Sequence, residues 1–405
     1  MVNCKLEILR DFPQITHFVV AFSGGLDSTV LLHILSQENI NLKAIHINHN
    51  LSPHAAAWEV QCKNFCEQLR VEYHSYSITI DKNNGESIEA QAREKRYAIL
   101  AEHIGKQTML LTAHHADDQA ETVLLQLMRG SGVAGLAAMP AIRPFAQGWL
   151  YRPLLTNMRA ELETYATQHQ LAWITDESNF DVSYERNFIR HQLLPMMQKR
   201  WPAVKTLLNR TAQHAFEAES ILSQIAEQDL EAIAISANQI DIHQLKQLTI
   251  ERQHNVLRFW LKAYAQVIPE QKQLQEIFSN VIDSRHDAEP CITFDNWQIR
   301  RHSQTLYLLQ LSNEQIEPFS ITWDLKTDLV LPKDLGILKV EDYKAFINDA
   351  PLTICNRQPG LKVLIEGRQG HHKLKHLFQE WGVPVWERDR VVLILAGDKV
   401  LATVT

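Results

Sequence analysis

The chain of 405 residues predicts a doubly wound parallel α/β domain, then a mostly helical domain and a small α+β domain. Three observations lead there. Through residue 128, short apolar or β-branched runs alternate with amphipathic stretches of helical length, the pattern of a parallel sheet covered by helices on both faces. Of 14 glycines, none lies between Gly148 and Gly336, and that span is rich in Leu, Ala, Gln and Glu, which favour helix. The last 55 residues return to glycine and β-branched runs.

His17–Phe22 is an apolar run and the first strand. After a turn, Thr29–Leu35 carries apolar side chains at helical spacing. Lys43–Ile47 follows as a strand, Pro53–Leu69 as a helix, Glu72–Ile78 as a weaker strand and Glu86–Ile104 as a helix. Thr108–Ala113 is the fourth strand and Asp117–Met128 the helix after it. Met158–His169 and Tyr184–Gln213 are helical and complete the first domain. Glu217–Ala234, Ile242–Leu248, Glu251–Val267 and Gln271–Val281 form a helical middle. Strand-like runs at Cys291–Asp295, Gln298–His302 and Thr305–Leu311 close it. Glu314–Ala350 is a weakly structured connector, and one helix near Lys373–Trp381 marks the tail. The expected units are therefore 1–215, 216–312, 313–350 and 351–405.

Composition narrows the function. With 45% hydrophobic and 21% charged residues, the chain is an ordinary folded protein rather than a disordered one. No apolar run approaches the ~20 residues a membrane helix needs, and Met1–Phe12 lacks a signal peptide's apolar core. No membrane partner and a cytoplasmic location are expected. Five scattered cysteines without a Cys-x-x-Cys pair argue against a disulfide framework, a zinc ribbon or a thiol-based sulfur carrier. Cys62 and Cys66, four apart on a helix, are expected to be packed small residues. The net charge of −7 conceals a basic stretch, residues 186–216, where Arg186, Arg190, Lys199, Arg200, Lys205 and Arg210 stand without an acid. Such a cluster suits contact with a polyanion or a solvated basic face.

The chemistry begins at Ser23-Gly24-Gly25-Leu26-Asp27-Ser28, between the first strand and the first helix. Two glycines let the backbone turn sharply and bring amide N–H groups to an anion. The helix N-terminus adds partial positive charge, and Ser23 and Ser28 add hydroxyl donors. Asp27 repels phosphate unless a divalent cation bridges the two. The string is neither the Gly-x-x-x-x-Gly-Lys-Ser/Thr loop nor the Gly-x-Gly-x-x-Gly fingerprint. It is similar to the pyrophosphate loop (PP-loop) of the ATP pyrophosphatases, whose adenine nucleotide alpha hydrolase-like fold matches the doubly wound domain. Those enzymes cleave ATP between its α- and β-phosphates and adenylate a substrate.

Three further strings sit at strand or helix ends. His46-Ile47-Asn48-His49-Asn50-Leu51-Ser52 leaves the second strand at the carboxyl edge, where ligands bind in such sheets. Glu89–Tyr97 places Arg93, Arg96 and Tyr97 on one helix face; Arg93 can clamp a phosphate or carboxylate, or pair with Glu89. Thr112-Ala113-His114-His115-Ala116-Asp117-Asp118-Gln119-Ala120-Glu121-Thr122 concentrates histidines and acids where the fourth strand ends, with Asp118 and Glu121 three apart. The glycine-rich Arg129–Leu136 follows. Together these strings resemble the tRNA(Ile)-lysidine synthetase family. The similarity continues through Tyr151-Arg152-Pro153-Leu154-Leu155, Asp176-Glu177-Ser178-Asn179 and Arg186–His191, and resumes at Arg357, Lys373–Lys375 and Pro384–Arg388. Asn50 stands where many relatives have glycine.

That resemblance implies ATP and Mg²⁺ as cofactors. The partners it implies are free L-lysine and tRNA(Ile) with a CAU anticodon; a homodimer stays open. The lysine ε-amine would be ligated to C2 of the wobble cytidine through an adenylated base, changing decoding from AUG to AUA. Residues 1–215 would be the catalytic domain, 216–312 a helical substrate-binding domain and 351–405 a tRNA-binding tail. Ser23, Gly24, Gly25, Leu26, Asp27, Ser28 and His49 would bind the nucleotide, Asp27 also the metal. Arg93 would offset charge on the α-phosphate, Asp118 and Glu121 would orient lysine's ammonium groups, and His115 would deprotonate the ε-amine. Arg186, Arg190, Arg200, Lys205, Lys373, Lys375 and Arg388 would contact tRNA phosphates. The alternatives are a tRNA-thiolating PP-loop enzyme and a non-catalytic, nucleotide-dependent tRNA-binding protein.

Overall fold

The computed structural model of the chain describes residues 2, 4, 11–50, 52–79, 88–285, 288–311, 316–333, 335–346 and 351–404. Leu51, Glu86, Ser87 and parts of 313–350 therefore lie outside the described residues. The chain divides into two compact units, Met1–Gln224 and Ile225–Thr405.

The first unit runs β1 (His17–Ala21), α1 (Leu26–Ser36), β2 (Asn41–Asn48), α2 (Ala55–Leu69), β3 (Glu72–Ser77), α3 (Ile88–Glu102), β4 (Thr108–Leu111) and α4 (Ala116–Met128). A short α5 (Val133–Leu136) leads to the hairpin β5 (Ile142–Phe145) and β6 (Gly148–Tyr151), then α6 (Arg159–Gln168). The sheet order is β3-β2-β1-β4-β6-β5, all neighbours parallel except the β5–β6 pair. Side chains alternate across β1 as the strand period demands. Phe18, Val20 and Phe22 pack with Leu31 and Leu35 of α1, Cys62 and Cys66 of α2, and Leu162 of α6. Val19 turns to the opposite face, with Ile45, Leu110 and Leu100 of α3. Both sheet faces are covered, as the continuous apolar strands require. The order reverses at β1, whose two neighbours are β2 and β4, so the loops after β1 and β4 open at one crevice.

Sequence periodicity missed the β5–β6 hairpin, which adds an antiparallel edge. Tyr184–Gln213 was expected as one helix; it is instead α7 (Glu185–Phe188), a π-helical turn at Ile189–Leu193, α8 (Leu194–Arg200), and a break at residues 201–203. Pro202 has no N–H to continue the ladder there. The next helix, α9 (Val204–Ile233), is continuous through residue 215, so the expected boundary falls inside it.

The second unit opens with β7 (Ala234–Ser236), β8 (Gln239–Asp241), α10 (Ile242–Leu245), α11 (Ile250–Ala265) and α12 (Gln271–Glu276), with a π-helical extension over Ile277–Ile282. β9 (Cys291–Phe294), β10 (Trp297–His302) and β11 (Thr305–Gln310) join β7 and β8 in an antiparallel sheet, β7-β8-β11-β10-β9. Its core is built round fully buried Trp260, Leu257, Val281 and Ile299. The last sheet, β12-β15-β18-β19-β16-β17, uses β12 (Ser320–Trp323), β15 (Leu352–Cys355), β16 (Lys362–Leu364), β17 (His371–Lys373), β18 (Val392–Ala396) and β19 (Lys399–Val404). A two-stranded ribbon, β13 (Leu329–Val330) with β14 (Ile337–Leu338), lies between β12 and β15 in the chain, and α13 (Leu374–Glu380) packs Leu374, Leu377 and Phe378 inward. The stretch expected as a connector thus supplies an edge strand, β12 paired antiparallel with β15. Trp381, at helical spacing with these residues, is 38% exposed.

Candidate active site

The first loop is held open from behind. Gly24 has φ +79°, and a Cβ there would stand 2.5 Å from both Cys62 Sγ and Ile174 Cδ1. Only glycine fits such a turn against such neighbours. The Ile174 amide donates to the Gly24 carbonyl at 2.9 Å, tying the loop to the segment after α6. Ser23 and Ser28 hydroxyls lie 3.0 Å apart, Ser28 also donates to the Gly25 carbonyl, and Thr29 donates to that of Gly24. Gly25 caps α1 without any side-chain bond, so the helix presents bare N–H groups and its partial positive charge to the crevice. Leu26 is buried beneath it.

From β4, His115 caps α4 reciprocally: its amide donates to Asp118 Oδ2 at 3.0 Å, and its Nδ1 accepts from the Asp118 amide at 3.3 Å. A proton on the neutral ring therefore sits on Nε2, which lies 3.6 Å from Asp27 Oδ2 and 3.4 Å from Asp118 Oδ2. Burial disfavours the imidazolium, but Asp118 and Asp27 outweigh it and raise the pKa above the ordinary histidine value. His114 behaves oppositely. Burial, opposed by Asp118 and assisted by Arg152, Arg186 and Arg96, pushes it down to about 3, and its Nδ1 meets the Thr112 hydroxyl at 2.9 Å. The strings after β1 and β4, some 90 residues apart, converge on Asp27.

The acids expected to face a substrate ammonium are already occupied. Arg186 donates from Nε to Glu121 at 2.7 Å and from a terminal nitrogen to Asp118 at 2.9 Å. Arg190 donates to both oxygens of Glu121, at 2.6 and 2.9 Å, and to Asp118 at 3.1 Å. The Glu121 side chain is 1% exposed. Burial would raise the Asp118 pKa, but His115 and Arg186 beside it hold the carboxyl well below the usual range. Lys205 pairs with Asp117, which also accepts from the Arg159 amide at 3.0 Å. So Arg186, Arg190 and Lys205, expected along an RNA backbone, point inward and tie α7, the π-turn and α9 to α4. The basic stretch looks unpaired only in sequence; its acids come from 65 to 90 residues upstream. Arg200 is exposed at the end of α8.

His49, just beyond β2, is partly buried, and burial with Arg96 nearby lowers its pKa. Asn50 takes φ +52°, the left-handed turn that glycine makes at no cost. Arg93 is exposed on α3, its guanidinium 5.1 Å from the Tyr97 ring centre. In the second unit, Lys373 and Lys375 are exposed at the start of α13. Arg388 is not available to phosphate: it is 6% exposed and its Nε donates to the Val383 carbonyl at 3.1 Å. Two residues with no motif of their own enter the site. Arg159 reaches to 3.6 Å from Asp27, and Ile174 forms a one-residue bridge with Gly25.

Three buried polar atoms here have no hydrogen-bond partner: Asp27 Oδ1, His49 Nδ1 and His115 Nε2. They lie behind β1, β2 and β4, at the crevice where nucleotides bind in such sheets. An orphaned carboxylate oxygen suits a hard divalent cation. Among the described residues no group of three or more His, Cys, Asp or Glu could hold a metal, and Asp27 with its orphaned oxygen is the residue that would meet Mg²⁺.

Fold and site define the class: an ATP-using enzyme with a PP-loop domain, whose family model matches residues 2–197. Models of the TilS substrate binding domain and the TilS substrate C-terminal domain match residues 240–307 and 352–405. A tRNA(Ile)-lysidine synthase from Coxiella burnetii is 42% identical, covering 98% of this chain and 91% of its own. One from Photobacterium profundum is 38% identical, covering 99% and 94%. The chain belongs to the tRNA(Ile)-lysidine synthase family. The U34-tRNA thiolase NcsA from Methanococcus maripaludis, solved with its [4Fe-4S] cluster, is 18% identical with a TM-score of 0.44 over 53% of this chain and 75% of that one. Burial pushes the Cys62 and Cys66 thiols up to about 12, out of the range of sulfur-transfer nucleophiles. No described helix is long and apolar enough to cross a membrane.

Proposed function

We propose that the chain ligates free L-lysine to the wobble cytidine of tRNA(Ile) bearing a CAU anticodon, using ATP. The C2 carbonyl oxygen attacks the α-phosphate, forming an O–P bond and releasing pyrophosphate. The lysine ε-nitrogen then attacks C2; the C2–N bond forms, the C2–O bond breaks and AMP leaves. The observation that carries this assignment is the set of orphaned atoms, Asp27 Oδ1, His49 Nδ1 and His115 Nε2, round an uncapped helix N-terminus.

Mg²⁺, held through Asp27, would supply charge that offsets the departing pyrophosphate. The bare N–H groups of α1 bind that same anion, with Ser23 and Ser28. Arg93 steers the α-phosphate. His115, its Nδ1 engaged by the cap, orients Asp27 from Nε2 rather than acting as a free base. Asp118 and Glu121, already saturated by Arg186 and Arg190, hold those two guanidiniums beside the crevice, where they make a nearby ammonium's charged form costly and ease loss of its proton to solvent before attack. Lys373, Lys375 and Arg200 hold tRNA phosphates. A cytoplasmic location, where both substrates occur, belongs to this proposal, and a homodimer is compatible with it.

The test is incorporation of labelled lysine into CAU-anticodon tRNA(Ile), omitting ATP, Mg²⁺ or tRNA in turn. ATP-dependent label in the RNA is expected. Pyrophosphate release without label would mean another nucleophile; no release at all would mean a binding protein. Asp118→Asn is expected to slow lysine transfer greatly while the protein stays folded.

A further inference from the structure

A second cationic feature lies beside the site, and none of the roles above uses most of it. Tyr97 on α3 carries the Arg93 and Arg96 guanidiniums at 5.1 and 5.5 Å from its ring centre. Its edge meets Phe145 of β5 with centroids 5.6 Å apart at 73°, and Arg143 lies 5.5 Å above the Phe145 ring. The two rings are thus direct neighbours, partly buried against the core of one sheet face, and each carries a guanidinium. Beneath them Arg152, only 4% exposed, donates to the Pro140 carbonyl at 2.6 Å, while its Nε is buried with no hydrogen-bond partner. Among the described residues, no carboxylate pairs with Arg93, Arg143 or Arg152. Burial, opposed by Tyr97 and reinforced by Arg143 and Arg93, lowers the Arg152 pKa to about 10. Among the described residues, positive charge is therefore concentrated here rather than neutralised, in contrast to Arg186 and Arg190.

The surface is fixed to the site by backbone hooks. Gln119, next to Asp118 on α4, both donates to the Met139 carbonyl and accepts from the Met139 amide, each at 3.0 Å. Met139 leads directly into the β5–β6 hairpin.

We propose that Arg143, Phe145, Tyr97 and Arg93 form a docking platform for single-stranded RNA flanking the base under modification. Guanidinium planes and aromatic rings both stack on nucleobases, and Arg93 and Arg143 can each donate to a backbone phosphate. A carboxylate-bearing peptide would satisfy the charges but not the paired rings between them. The inference rests on the lysidine-forming assignment for the identity of the RNA, not for the platform itself.

The test compares wild type, Arg143→Gln and Phe145→Leu in binding a labelled anticodon stem-loop of tRNA(Ile), by fluorescence anisotropy across a salt series. Arg143→Gln is expected to weaken binding about 5- to 10-fold at low salt and to flatten the salt slope by about 0.7–0.9. Phe145→Leu is expected to weaken it about 5-fold or more with the slope unchanged. The KM for ATP should be unaffected in both. Wild-type affinity and slope in Arg143→Gln would overturn the platform, whatever Phe145→Leu does. Lysine incorporation measured alongside separates the two claims. Wild-type protein that makes no lysidine, with RNA binding still lost in the variants, defeats the assigned reaction and leaves the platform. Active wild type with unimpaired variants defeats the platform alone.

Discussion

Replacing Arg190 by Gln separates the two roles open to the basic stretch. Arg190 makes three charge-assisted bonds, two to Glu121 and one to Asp118. Its own side chain is 26% exposed, while that of Glu121 is 1% exposed. Breaking a buried pair by removing one partner costs about 3–5 kcal/mol, because the other charge stays buried. Here Arg186 remains on both carboxylates and Arg190 is partly solvated, so the cost falls to or just below that range's lower end, about 2–3 kcal/mol. For a urea m-value of about 2–3 kcal/mol/M the midpoint should fall by roughly 1 M. Glu121→Gln should cost a similar amount, and the double variant clearly less than the sum, with a coupling of at least about 1 kcal/mol. The assay is urea unfolding followed by circular dichroism and fluorescence, set beside tRNA affinity at two salt concentrations. An unchanged midpoint with additive single effects, together with a flatter salt slope, would refute the clamp and return Arg190 to the RNA backbone.

Three more perturbations test other parts of the molecule. Gly24→Ala must accept a left-handed φ, about 1–2 kcal/mol, and press on Cys62 and Ile174, about 1–3 kcal/mol more; thermal unfolding should reveal the loss, adding Cys62→Ala should recover part of the packing cost, and a full-strength Gly24→Ala would sink the account of the loop. His114 is held down to about 3, so between pH 6.5 and 3 the unfolded chain binds a proton that the folded one refuses. Its stability contribution is complete above pH 6.5 and is lost as pH falls toward 3; between pH 7.5 and 5 wild type should lose about 2 kcal/mol more than His114→Gln, and equal losses would show the ring is not held neutral. Lys373→Gln with Lys375→Gln should flatten the salt dependence of tRNA binding without moving the unfolding midpoint, whereas Arg388→Gln should lower the midpoint; the reverse pattern would mean the two groups have been assigned the wrong way round.

What could be read from the sequence was whatever is local. A parallel sheet leaves its mark in each strand separately: His17–Ala21 and Asn41–Asn48 are apolar because both faces are covered, and each announces itself without reference to its neighbours. The first loop was legible because its turn needs Gly24 and its helix start needs Asp27 and Ser28 within a few residues. The β5–β6 hairpin was not, since four-residue strands containing Pro144 and Gly148 carry too little periodicity to register. Nor was β12, whose strand character comes from β15 about 30 residues on. The helix break before Pro202 had a visible cause, but helical composition on either side masked it.

The acidic string after β4 shows where local reading fails at a functional site. Asp118 and Glu121 looked like open ligands for a cation, and Arg186, Arg190 and Lys205 like open ligands for an anion, because each group was judged without the other. Neither charge pattern is wrong; the error lies in treating them as independent. The π-helical turn at Ile189–Leu193 is part of the reason they meet, since α7 and this turn carry Arg186 and Arg190 to the same two carboxylates. Such turns recur at functional sites and have no signature in hydrophobic period. By contrast, Arg143 drew no attention in sequence, and Arg152 did so only as one member of the Tyr151–Leu155 string. Yet they find no carboxylate among the described residues, and they keep the field that the conspicuous basic cluster gives up. The polyanion contact expected from charge clustering is therefore better sought where the cations are few but uncompensated.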